Sequence, residues 1–100
     1  IFLPGRIWVF PNPVVDDTAI RFALPQSQPS GRSLIGYTLR IYDVAGRLVR
    51  TLDGTSPASE PRTVRWDATD DGGRRVASGT YFCVVANRAG TLGTKLLVLR

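Results

Sequence analysis

Residues 11–25 read PNPVVDDTAIRFALP. From Thr18 to Leu24 the chain alternates, with Ile20, Phe22 and Leu24 on one face and Arg21 on the other. A two-residue period is the pleat of a strand with one buried and one wet side. Pro25 closes that strand. Pro11 and Pro13 hold the chain extended before it, because proline locks φ and steers the preceding residue out of the helical region. The first half of the stretch is therefore expected to be a rigid crossover from an earlier strand at residues 6–10 (RIWVF). In it Asn12 would bond locally, and Asp16 and Asp17 would blunt the approach to the next strand.

The same period dominates the rest of the chain, and no helical stripe competes with it. Residues 35–43 give a third strand with Tyr37, Leu39 and Ile41 inward and Arg40 and Tyr42 outward. DVAGRLVRTL (43–52) reads as a hairpin turning at Ala45-Gly46 into a fourth strand at 47–52. TVRWD (63–67) sends Val64 and Trp66 inward. GTYFCVVAN (79–87) follows an Asp71-Gly72 turn, and GTKLLVLR (93–100) follows a turn at 88–91. Polar connections separate these segments at 25–33, 53–62 and 67–78. Seven short strands with such punctuation predict an all-β, seven-stranded, immunoglobulin-like Greek-key β-sandwich. Two packed sheets cover the apolar faces that a single sheet would leave wet. The chain is long enough for one domain, 1–100, with residues 1–5 as a linker or upstream tail.

Charge and composition narrow the chemistry. Arg and Lys outnumber Asp and Glu by 13 to 8, for a net charge of +5. The arginines are dispersed, with only Arg74 and Arg75 adjacent, which argues against a nucleic-acid groove. Arg21, Arg40 and Arg65 alternate with core positions and are expected to keep the outer faces soluble. Histidine is absent, which removes imidazole bases, histidine triads and imidazole metal ligands. Cys83 lies alone in an apolar strand, as a buried small hydrophobe. No apolar run is long enough to span a bilayer. Neither an enzyme nor a cofactor is expected.

Some residues still invite a functional role. Asp67, Asp70 and Asp71 crowd one loop and carry the oxygen donors that calcium takes, yet aspartate before glycine ordinarily shapes a turn. Trp8, Tyr42 and Phe82 are the aromatics a glycan-binding face would use. Trp66 is expected in the core. Tyr81 follows VASG and precedes Cys83 by two residues, a place from which its hydroxyl reaches the backbone of the preceding crossover.

Together, PNPVVDDTAIRFALP, LRIYDVAGRLVRTL, TVRWDATDDGGRRVASGTYFCVV and the closing GTKLLVLR resemble the FlgD immunoglobulin-like domain. They also resemble the C-terminal domains of many exported bacterial proteins, including those with type IX secretion sorting signals. The resemblance runs from about Ile7 to Arg100. Asn12 and Pro13 match its PNP element, beside the structural Pro11, and Tyr42, Asp43, Gly46 and Arg47 match its central hairpin. Trp66, Asp67, Gly72, Gly79 and Tyr81 match core and turn positions, and Lys95 begins its basic-then-apolar close. Members often carry PNPFNP where this chain has PNPVVD.

This resemblance implies a non-catalytic accessory domain at the natural C-terminus of a secreted or cell-surface protein. It would serve export sorting, anchoring or spacing for an upstream domain of the same polypeptide. A signal read by secretion machinery would lie in the terminal strand and its exposed edge, at Gly93, Lys95, Leu97, Leu99 and Arg100. The alternative is an assembly subunit of a filament, sheath or hook-cap-like structure. Its edge strands would accept a neighbouring subunit's strand, with IFLPGRIWVF (1–10) as donor.

Overall fold

The computed structural model describes residues 6–23, 34–57, 62–87 and 90–99, and its regular elements are all strands. They are β1 (Arg6–Phe10), β2 (Thr18–Ala23), β3 (Leu34–Asp43), β4 (Leu48–Pro57), β5 (Arg62–Trp66), β6 (Gly79–Asn87) and β7 (Gly90–Val98). Two antiparallel sheets, β1-β2-β5 and β4-β3-β6-β7, form the expected sandwich. A constant-type immunoglobulin domain places its fourth strand in the first sheet. Here β4 stays with β3, its hairpin partner.

Alternation fills the interior from both sheets. Ile20 and Phe22 come from one side, and Leu39, Ile41, Val85 and Leu96 from the other, all essentially without solvent contact. Two edge-to-face ring pairs sit toward opposite ends of β3. Phe22 meets Tyr37 at 5.0 Å, and Trp66 meets Tyr81 at 6.1 Å. Each such pair adds about 0.5–1.5 kcal/mol to the burial of its rings.

Several strand limits differ from expectation. β4 continues to Pro57 instead of stopping at residue 52, with Leu52 to Pro57 paired opposite Leu34 to Leu39. Cross-strand pairing there outweighs the turn preference of Gly and Ser. Gly54 has a specific reason for being small, since a Cβ would meet Tyr37 Oη at 2.8 Å. β7 starts at Gly90, so half of the expected turn at 88–91 is strand. β3 begins at Leu34, and β5 runs from Arg62 to Trp66. Leu24, Pro25, the 26–33 connection, Arg100 and residues 1–5 lie outside the described residues.

Two turns use one five-residue design, DVAGR (43–47) and DDGGR (70–74). In each, the aspartate N–H donates to the arginine carbonyl and the glycine N–H to the aspartate carbonyl. The Asp43 and Asp70 Oδ1 atoms each accept two further amides, from residues two and four positions on. Gly46 and Gly73 take φ of +86° and +84°, a region that costs an L side chain energy and glycine nothing. The first hairpin thus turns at Val44-Ala45, one residue before the position expected, with Gly46 completing it.

Candidate interaction surface

The crossover after β1 does more than connect. Its Phe10–Pro11 and Asn12–Pro13 peptide bonds are cis. Asn12 Oδ1 accepts the Leu97 N–H at 3.0 Å. Val14 donates its N–H to the Leu97 carbonyl at 2.7 Å and accepts the Leu99 N–H at 2.8 Å. Val14 and Val98 pair in parallel, both fully buried. Asn12 was expected to bond locally, but its partner lies 85 residues away. Prolines on both sides have no N–H and limit ordinary pairing, so the carboxamide supplies the acceptor that the edge needs. Thr18, also buried, donates its hydroxyl to the Pro11 carbonyl at 2.8 Å and ties the crossover down. The edge of β7 from Leu97 to Leu99, expected to be exposed, is therefore covered.

The opposite edge of that sheet is sealed differently. Asp71 donates its N–H to the Val49 carbonyl at 2.9 Å, and its Oδ1 accepts the Thr51 N–H at 3.0 Å. Arg50 Nη1 reaches Thr69 Oγ1 and the Asp70 carbonyl. The three aspartates considered for calcium consequently do not converge. Asp67 accepts the Thr69 hydroxyl, Asp70 caps its own turn, and Asp71 serves β4. Among the described residues no group of three or more Asp, Glu, Cys or His could hold a metal ion. Asp17 and Asp16 reach Arg65 and Arg75 as exposed ion pairs, a kind worth little to stability.

Electrostatic shifts are few. The Arg47 backbone N–H, helped by its guanidinium, holds the Asp43 carboxyl below the usual range against a partial opposing effect of desolvation. The Thr69 hydroxyl does the same for Asp67. Burial pushes the Cys83 thiol up to about 12, far from the range of a reactive thiolate. Tyr81 Oη donates to the Ala77 carbonyl at 2.6 Å, and Trp66 Nε1 to the Thr69 carbonyl at 2.9 Å. Gly79, two residues before Tyr81 on β6, holds φ at +155°.

The aromatics proposed for a glycan face are not gathered. Trp8 is exposed beside Arg21 on the outside of β1-β2-β5. Tyr42 and Phe82 are register neighbours on the outside of the other sheet. There they belong to a broader apolar surface. Leu48 flanks Tyr42, Lys95 flanks Phe82, and Thr80 lies opposite Leu97. The Val14–Val98 pairing sets Pro13 beside Leu97 and Val15 beside Leu99. Leu48, Phe82, Leu97, Leu99 and Val15 are each more than one-third exposed. Reading one wet face per strand missed this surface. The doublets Val14-Val15, Tyr81-Phe82 and Leu96-Leu97 were its signal, because adjacent apolar residues in extended chain must point opposite ways. Of the residues considered for docking, Gly93, Lys95, Leu97 and Leu99 are exposed, and Arg100 lies outside the described residues.

A two-sheet sandwich with a tyrosine fastened to its own crossover defines an immunoglobulin-like module. Residues 15–90 match the model of the FlgD Ig-like domain, and the chain belongs to that family. Among solved structures it is similar to part of dimeric latent PorU from Porphyromonas gingivalis, at 29% identity and a TM-score of 0.73. That match covers 99% of this chain and 9% of PorU. It is also similar to part of PorZ from the same organism, an essential bacterial surface component of the type-IX secretion system. Identity there is 26% and the TM-score 0.62, over 94% of this chain and 11% of PorZ. The chain thus spans only a small part of either protein. No curated protein matches it. No helix among the described residues is long and apolar enough to cross a membrane.

Proposed function

We propose that this domain is a non-catalytic accessory module at the C-terminal end of a secreted or surface protein, serving export sorting, anchoring or spacing for an upstream domain. The observation that carries this reading is the likeness of nearly the whole chain to a small part of PorZ, a surface component of a secretion system. The absence of histidine and the raised Cys83 thiol fit a domain that works by contact. Because Asn12–Val14 already occupy the backbone edge at Leu97–Leu99, recognition uses the outward side chains of β7 instead of adding a strand there.

The test is surface delivery of the full-length protein. Removing residues 93–100 is expected to abolish delivery, but it also deletes the core residues Leu96 and Val98. A double substitution, Lys95→Glu with Leu97→Ser, leaves that core in place. Retention inside the cell with a folded upstream domain is the expected result. Normal delivery of both variants would refute the reading.

A further inference from the structure

We infer that the outer face of β4-β3-β6-β7 carries a docking site for a polypeptide segment that presents a carboxylate flanked by apolar side chains. Among the described residues, six of the eight large hydrophobic residues that are exposed, Val15, Val44, Leu48, Phe82, Leu97 and Leu99, lie on this face or at its rim. They concentrate at one end, where β3 and β7 finish and β4 and β6 begin. Exposed apolar residues are ordinary singly, but a contiguous group marks an interaction surface.

Within this surface lies a shallow cavity of about 250 Å³, lined by Asn12, Thr80, Lys95, Leu96 and Leu97. Each of its polar side chains offers at least one hydrogen-bond donor. Lys95, the chain's sole lysine, makes no ion pair among the described residues. Asn12 spends its Oδ1 on the Leu97 N–H, so its orientation is fixed and its Nδ2 remains a donor. Thr80 adds a hydroxyl. A cation and two neutral donors beside the outward Leu97 side chain match a single carboxylate. Arg40 lies further along the same face beside Val84, with Asp53 diagonal to it across β3 and β4. Asp43, the carboxylate nearest in sequence to Tyr42, is already paired with Arg47.

The site deepens the accessory-module reading and rests on it only for the partner's biological setting. Its test is direct. Short fluorescein-labelled peptides of leucine, valine and serine, with a central glutamate or a glutamine control, are titrated against the domain by anisotropy. Amide shifts are followed by NMR. The glutamate peptide is expected to bind about tenfold more tightly than its control, a difference typical of one charge-assisted contact. Shifts should centre on Thr80, Lys95 and Leu97. Lys95→Gln should erase the difference and Lys95→Arg keep most of it. Equal binding of the two peptides, no binding of either at millimolar concentration, or shifts confined to β1-β2-β5 would each overturn the site. None of these outcomes touches the export experiment, which fails or succeeds separately.

Discussion

The two edges of the four-stranded sheet meet the same hazard by different means. On the β4 side, Asp71 covers Val49 and Thr51 from a loop twenty residues away. That loop is itself shaped by the Asp70 turn and anchored by the Trp66–Thr69 bond. On the β7 side, Asn12 and Val14 arrive from the opposite end of the chain, without any charged group. An unpaired edge invites pairing with other chains. One seal depends on carboxylates and a folded loop. The other depends on a neutral carboxamide and a buried valine pair.

The largest effect is expected where a seal and the core share a residue. Trp66→Ala removes a buried ring and the anchor of the β4-side loop, and should cost about 3–5 kcal/mol in urea unfolding. Its counterpart on the β7 side, Val14→Ala, should cost about 2 kcal/mol. A reversed order would mean that the β7 seal, and not the Trp66 end, dominates stability.

Next comes Tyr81→Phe, which leaves the Ala77 carbonyl without its hydroxyl donor. It should lower stability by about 1–3 kcal/mol and leave peptide binding at Lys95 unchanged. An unfolding midpoint equal to that of the parent would count against a stabilising Tyr81–Ala77 bond. Asn12→Ala should cost about 1 kcal/mol, speed hydrogen exchange at Leu97 and promote concentration-dependent association through the freed edge. Sedimentation of a strictly monomeric variant would show that the carboxamide is not needed as a cover.

The smallest effect is a pH dependence at the carboxylate-capped turn and loop, set against the neutral β7 side. Asp43 and Asp67 have folded pKa values below their unfolded ones. The stability they lend is present above about pH 4 and fades as pH falls through the folded values. Amide resonances of Ala45, Arg47 and Thr69 should therefore move in acid while those of Leu97 and Leu99 stay put. At the other extreme, Cys83 stays protonated in the fold to about 12. Alkaline solutions above about pH 9 should then favour the unfolded chain, whose thiol ionises. Alkylation of Cys83 should track unfolding.

Much of this molecule was decided locally. Period two set the number of strands, and it sent Tyr37, Leu39, Ile41 and Trp66 inward. Aspartate and glycine at fixed spacing shaped the turns, although the likeness of DVAGR and DDGGR lies in their bonds and not in their letters. The position of Tyr81 before Cys83 was enough to aim its hydroxyl at the crossover. What alternation leaves open is which strand lies beside which, since every extended segment offers the same backbone donors and acceptors. Closure of the sandwich brought Asn12 to Leu97 and Asp71 to Thr51. It also joined the outward halves of three apolar doublets into one surface, because neighbours across a sheet are set by register and not by distance along the chain.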